Sequence, residues 1–268
     1  MPPTVSEPSA IAVILGSAFD RSLPGQLRLQ TREIKTPWGA QIVFALSDSP
    51  RPAYVLFRHG LPHRLLPNQI NYRAQAAALH ALGVGALVIN SSVGVLDAAI
   101  PLNTPMLVSD LLMPENRLPD GSACTLFVEP SDEHGHLVLN EGLFSRSLSR
   151  QVQAFAPTAI RPIDAGLVFA YAGGPRTKTP AENRALAQIG AQVNSMTLGP
   201  EVVLANELGI PCAGLVVGHK YSVPGIANPP EAGIRDSLEA ARLATEQVLV
   251  RFLREGAPVP FGNHLYRS

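Results

Sequence analysis

Cysteine is nearly absent from this 268-residue chain: Cys124 and Cys212 are the only two. That excludes a disulfide framework and a zinc-finger ligand set, and it fits a reducing, cytoplasmic location. Charge of one sign is also missing, because 21 Lys and Arg balance 21 Asp and Glu and charged residues make up only 16% of the chain. The basic footprint of a nucleic-acid or membrane-surface binder is therefore lacking. Long apolar runs are missing too. Stretches such as Ile11–Leu15 and Gly83–Ile89 are strand-sized, far short of the roughly 20 residues that span a bilayer. The Met1-Pro-Pro-Thr start has neither a basic region nor an apolar signal core. No internal repeat and no Gly-, Ser- or Pro-rich linker divides the sequence, so residues 1–268 read as one domain.

What the chain does have is alternation. Short apolar runs recur at Ile11–Leu15, Ala53–Phe57, Ala86–Ile89, Thr104–Val108, Gly166–Phe169, Gln192–Met196 and Ala213–Val217. Runs of this length predict strands buried on both faces. Helical patterns lie between them. One covers Asn68–Leu82 and stops at Gly83, and a capping box with proline at the first helical position stands at Thr179-Pro180-Ala181-Glu182. Further helices are expected from Pro200 to near Gly209 and over Glu231–Arg254, the latter burying Ile234, Leu238, Ala241, Val248 and Phe252. Strand and helix in alternation predict an α/β fold with a largely parallel or mixed sheet. Pro114–Gly135 is the least regular stretch and is expected to be a long surface loop.

Four polar segments sit at expected strand ends, where open α/β sheets bind ligands. Gly16-Ser17 offers backbone N–H groups and a hydroxyl to an oxyanion, although the pair also reads as a plain turn. Arg58-His59-Gly60-Leu61-Pro62-His63-Arg64 concentrates anion-binding side chains, or else forms a solvated loop. Asn90-Ser91-Ser92-Val93-Gly94 reads as a phosphate cradle or as a simple strand-to-loop transition. Met196-Thr197-Leu198-Gly199-Pro200-Glu201 puts Thr197 just ahead of a helix N-terminus, where an anion is favoured; Glu201 is equally explicable as compensation of the helix dipole.

In order and spacing these segments, with Thr36-Pro37-Trp38-Gly39, Pro67-Asn68-Gln69-Ile70-Asn71-Tyr72 and Gly174-Pro175-Arg176, resemble the trimeric purine nucleoside phosphorylase family. Within it the chain is most similar to the 5′-methylthioadenosine phosphorylase branch. The resemblance runs from about residue 11 to residue 253. It implies an α/β domain built on a mixed, distorted β-barrel flanked by helices, and a homotrimer. It also implies phosphorolysis of a small nucleoside with inorganic phosphate as co-substrate, no metal or organic cofactor, and neither nucleic acid nor membrane as partner. Carried over position by position, it implies that Ser17, Arg58, His59, Ser91, Ser92 and Thr197 bind phosphate and that Met196 contacts the sugar.

The chain departs from the family where the base should sit. The methylthioadenosine branch supplies two aspartates to a 6-aminopurine where this chain has Lys220 and Ser222. The 6-oxopurine branch has asparagine at the Lys220 position and glutamate at the Lys178 position, and Thr177 replaces an aromatic that would stack on the base. An ammonium only donates hydrogen bonds, so it suits a ring nitrogen or a carbonyl oxygen but not an exocyclic amine. The expectation is therefore a base contacted by Thr177, Lys178, Lys220 and Ser222, with Lys220, Lys178 and His59 as catalytic groups. A 6-oxopurine or an unusual base is expected over adenine. Both lysines turned to solvent is the competing reading of these positions. A nucleoside hydrolase and a non-catalytic nucleoside- or anion-binding homologue are the alternatives at the level of function.

Overall fold

The computed structural model describes residues 9–19, 27–157, 159–223, 226 and 231–267, and of 231–235 the backbone alone. The Met1-Pro-Pro-Thr start and the side chain of Ile234, expected to be buried, lie outside the described residues.

The chain runs through β1 (Ala10–Leu15), the hairpin β2 (Leu29–Thr36) and β3 (Gly39–Leu46), and β4 (Ala53–Phe57). Helix α1 (Tyr72–Ala81) leads into the twelve-residue strand β5 (Val84–Val95), followed by β6 (Pro105–Leu112). After an irregular stretch come β7 (His136–Val138), α2 (Arg146–Ala154), β8 (Leu167–Tyr171), α3 (Pro180–Gln188), β9 (Val193–Ser195) and α4 (Gly199–Glu207). Then follow β10 (Cys212–Tyr221), α5 (Glu231–Glu255) and β11 (His264–Tyr266), which pairs with β7.

The order β10-β6-β8-β9-β5 closes on itself because β10 also pairs with β5, giving a five-stranded mixed barrel. From β5 the sheet continues outward through β1, β4, β3 and β2. The expected α/β domain with a distorted mixed barrel is the fold that forms. Strand β5 belongs to both parts: it pairs with β1 over Val84–Ile89, with β10 over Leu87–Val95 and with β9 at Gly94 and Val95. Ile11, Val13, Leu56, Leu87, Ile89, Leu107, Phe169 and Leu215 are all buried, which is why these strands are apolar on both faces. Leu148 and Val152 of α2 and Val248, Leu249 and Phe252 of α5 join the same core.

Several boundaries differ from the sequence pattern: β6 and β10 run on to Leu112 and Tyr221, beyond the expected Val108 and Val217, and two further differences lie nearer the site. Asn90–Val95, expected at a strand end, continues β5, because β10 and β9 take up its backbone hydrogen bonds and Val93 and Val95 are fully buried. The helix expected from Asn68 begins at Tyr72, after a 3-10 turn at Pro67–Gln69, because Asn71 Oδ1 accepts the Ala74 N–H at 3.1 Å as an N-cap. The capping box forms as expected: Glu182 N donates to Thr179 Oγ1 at 3.2 Å and Thr179 N to Glu182 Oε2 at 2.7 Å. Among the described residues 114–135 has no helix or strand, only an isolated bridge between Arg117 and Ala123.

Candidate active site

The ends of β1, β4, β8, β9 and β10 and the second half of β5 open on one cavity of about 680 Å³. Ser17, Arg58, His59, Ser91, Ser92, Thr197, Met196, Thr177, Lys178, Lys220 and Ser222 all line it. Strand register gathers them: Arg58 N donates to Leu15 O at 3.1 Å, Ser91 lies opposite Val216, and Gly94 lies opposite both Asn194 and Lys220.

At one end of the cavity Arg58 is buried, with 1% of its side chain exposed. Its Nε donates to Glu201 Oε1 at 2.6 Å, its Nη2 to Glu201 Oε2 at 2.8 Å, and its Nη1 to the Asn90 carbonyl at 3.0 Å. A guanidinium has five N–H donors, so one on each terminal nitrogen is left for a ligand. Glu201 is thus more than a neutraliser of the helix dipole: it is the partner of Arg58, a contact that the sequence reading missed. Gly16 makes room for the guanidinium, since a Cβ there would lie 2.8 Å from Arg58 Nη1. Ser17 is exposed in the turn after β1, and Thr197 is buried ahead of α4. Ser91 Oγ lies 3.3 Å from Ser92 O and 3.4 Å from Ser195 Oγ, alternative acceptors for its one hydrogen.

The His59 ring is buried and places Nδ1 2.8 Å from Leu65 O. A carbonyl can only accept, so Nδ1 carries the hydrogen and Nε2 of the neutral ring is an acceptor. Burial, the Arg58 guanidinium and His63 lower the pKa to about 4 against the opposing pull of the Leu65 bond, so the ring is neutral near pH 7. The His63 ring stacks on it at 4.3 Å.

At the other end the β5–β10 register shifts between Gly218 and Lys220, a bulge that re-aims the side chains beside the cavity. Lys220 is half-buried, and no described group accepts from its ammonium. Burial and the Lys220 charge lower the His219 pKa to about 4, and its buried Nδ1 has no partner among the described residues. Lys178 turns back on its own loop: Nζ donates to Gly173 O at 2.6 Å and to Arg176 O at 3.1 Å. Burial, then the Arg176 guanidinium, lowers its pKa, with Glu182 opposing. Arg176 itself pairs with Glu182 at 2.7 Å.

Asn183 and Asn194 also line this end, joined by a 2.9 Å bond from Asn194 Nδ2 to Asn183 Oδ1. Neither was foreseen, although an asparagine inside the apolar run at Val193 is the kind of buried polar group that marks a site. The described wall of the cavity contains no Asp or Glu. Among the described residues no group of His, Cys, Asp and Glu is arranged to hold a metal ion. A second hollow of about 920 Å³, lined by Phe127, His134, His136, Glu207 and others, holds none of the expected site residues.

Comparison with known proteins follows the same outline. The chain is 32% identical over 213 residues to a probable S-methyl-5′-thioinosine phosphorylase of Methanopyrus kandleri, covering 79% of this chain and 78% of that one. It is 31% identical over 225 residues to a probable 6-oxopurine nucleoside phosphorylase of Moorella thermoacetica, covering 82% of each. Methylthioadenosine phosphorylase from Schistosoma mansoni, solved in complex with adenine, shares the fold with a TM-score of 0.76 at 19% identity, over 91% of this chain and 90% of that one. Residues 10–254, from the first strand of the sheet to the helix that packs on it, match the Phosphorylase superfamily, and the chain belongs to that family.

Proposed function

We propose that this protein is a nucleoside phosphorylase: inorganic phosphate attacks the anomeric carbon of a purine-type nucleoside, releasing free base and pentose 1-phosphate. The observation that carries this reading is a single cavity with an anion-binding end and a separate donor-rich end. Ser91 and Gly94 are three residues apart on β5, and Lys220 lies opposite Gly94, so the two ends are about 10 Å apart. That spacing suits a sugar between a phosphate and a base. The activities named for the two relatives support the same reaction class.

On this reading the dianion HPO₄²⁻ is held by the two free N–H groups of Arg58 and by the hydroxyls of Ser17, Ser91, Ser92 and Thr197. The neutral His59 ring accepts the remaining phosphate O–H at Nε2, which turns the unprotonated oxygens toward the sugar. Met196, packed on the Gly174 backbone, gives the ribose a soft apolar wall. As the glycosidic bond lengthens, positive charge develops on the sugar beside the bound dianion, and the base leaves with the electron pair. The Lys220 ammonium donates to the departing base, flanked by Thr177 and Ser222. Lys178 keeps one N–H after its two backbone bonds and joins the same face. With no carboxylate in the described wall, a carbonyl oxygen or ring nitrogen is matched better than an exocyclic amine. The favoured base is therefore a 6-oxopurine or another oxygen-bearing heterocycle. Phosphate is the only co-substrate in this scheme, and no cofactor takes part.

The assembly we propose is a homotrimer. Val128, Leu139 and Tyr266, each about half exposed, cluster around the second hollow and offer an apolar surface to a neighbouring copy. A cytoplasmic location agrees with two unpaired, buried cysteines. No described helix is long and apolar enough to cross a membrane.

The test is chromatographic base release from inosine, guanosine, xanthosine, adenosine, 5′-methylthioadenosine and 5′-methylthioinosine, each with and without phosphate. Phosphate-dependent release from the oxo members is expected. Release without phosphate would identify a hydrolase, and saturable binding without release a non-catalytic homologue.

A further inference from the structure

Leu198 stands between Thr197 and α4 with φ 73° and ψ −47°, a region that a leucine rarely adopts. Gly199 N donates back to Thr197 O at 3.0 Å, so residues 197–199 form a γ-turn of the rare positive-φ kind. A conformation of this sort persists only where its surroundings hold it. The group that holds it is Glu201, whose Oε2 accepts the Leu198 N–H at 2.9 Å. The same oxygen accepts from Arg58 Nη2, and Oε1 accepts from Arg58 Nε. One buried carboxylate thus ties the strand-end arginine to the turn that carries Thr197, across 143 residues of sequence.

We propose that Glu201 is the positioning residue of the phosphate site: its carboxylate locks Arg58 and the Thr197-Leu198 turn into one arrangement, so that both anion-binding arms are assembled before phosphate arrives. This inference rests on the reading of the cavity as a phosphate site. Compensation of the helix dipole needs only a carboxylate near the first turn; it requires neither full burial nor a two-pronged contact with a distant arginine. Glu201 has both, with 1% of its side chain exposed. Its charge cancels that of Arg58, so the guanidinium offers phosphate two aimed N–H groups rather than a free cation. A purely structural pair would be replaceable by apolar side chains of similar volume. An apolar pair, however, would hold neither the turn nor the donors in place.

The test separates phosphate from nucleoside. Glu201→Gln keeps the shape but replaces one acceptor oxygen by an amide nitrogen, so Arg58 Nε–H loses its partner in one amide orientation, and both Arg58 Nη2–H and Leu198 N–H lose theirs in the other. Phosphate affinity, measured by titration calorimetry without nucleoside, is expected to fall at least about 10-fold. The phosphate KM should rise with it while the nucleoside KM stays near the wild-type value. Glu201→Asp preserves the buried charge but withdraws the carboxylate by one methylene; it is expected to give the same split and is the variant to read should Glu201→Gln not fold. Unchanged phosphate affinity in a folded variant, or equal losses for phosphate and nucleoside, would overturn the proposal. Wild-type protein that bound no phosphate would instead remove the phosphate-site reading on which it rests.

Discussion

Substitutions in this cavity should act on phosphate or on nucleoside according to which end they meet, and two glycines separate the ends. A Cβ on Gly16 would lie 2.8 Å from Arg58 Nη1 and 3.1 Å from the Asn90 carbonyl oxygen. The Asn90 oxygen is fixed in β5, so the guanidinium must give way, and Gly16→Ala is expected to raise the phosphate KM about 10-fold. A Cβ on Gly94 would instead run into Ser222 Oγ and come within 3.0 Å of Asn194 Oδ1. Gly94→Ala should therefore raise the nucleoside KM and spare the phosphate KM. Kinetics with each substrate varied against a saturating partner read both effects, and movement of the same KM in both variants would refute the assignment of the ends. Lys220→Met keeps side-chain length and removes the donor. Its kcat on an oxo nucleoside is expected to drop about 100-fold, the usual loss for one preorganised donor, with phosphate binding by calorimetry unchanged. Arg58→Ala is a poorer probe, because it strands Glu201 as an unpaired buried charge and is expected to cost about 3–5 kcal/mol of stability by denaturant titration.

Among the elements, the β8–α3 connection shows how a local signal supports a distant function. The capping box at Thr179 and Glu182 starts α3, and the residue just before it, Lys178, holds the loop through Gly173 O and Arg176 O. Thr179→Ala removes the cap and is expected to cost about 1 kcal/mol in denaturant unfolding. The loosened loop should raise the nucleoside KM more than the phosphate KM. This cap was legible in the sequence because its four residues are adjacent. The central strands were legible for a related reason: burial on both faces leaves an unbroken apolar run, as at Ile11–Leu15 and Ala53–Phe57. Strand β2 gave no such run, since Gln30, Thr31, Arg32 and Glu33 are exposed at the sheet edge, although its partner β3 carries one at Ile42–Leu46. Nor did the polar half of β5, where Ser91, Ser92 and Gly94 read as a loop although two neighbouring strands pair with it. The site residues could be named one by one at strand ends. Their convergence on one cavity, the Arg58–Glu201 bond and the strained Leu198 turn depend on contacts between distant parts of the chain, which no local pattern encodes.

In the molecule as a whole, closure of the barrel brings His59 from the outer sheet and His219 from β10 to the same cavity, the first buried and the second half-buried, both in neutral form. Their pKa values fall from the ordinary 6.5 to about 4, by burial first and then by the Arg58 and Lys220 charges respectively. The stability of the whole fold is linked to that shift. Above pH 6.5 both rings are neutral in folded and unfolded chains alike, and neither penalises the fold. Between about 6.5 and 4 the unfolded chain binds more protons, so stability is lost as pH falls through this window. Below about 4 the folded rings also protonate and the loss levels off. For His59 alone, 7% exposed, the shift amounts to about 3 kcal/mol, a large part of the 5–15 kcal/mol that typically holds a domain together. Thermal unfolding followed from pH 8 to pH 4 should show a Tm that is flat above 6.5 and falls below it. His59→Gln should flatten part of that fall, because glutamine takes up no proton in either state. A Tm unchanged between pH 7 and pH 5 would mean that the rings already exchange protons freely with water. His59 would then take up its proton near pH 6.5 in the folded chain, and under the proposed phosphate role activity would be expected to decline below that pH while the Tm stayed level.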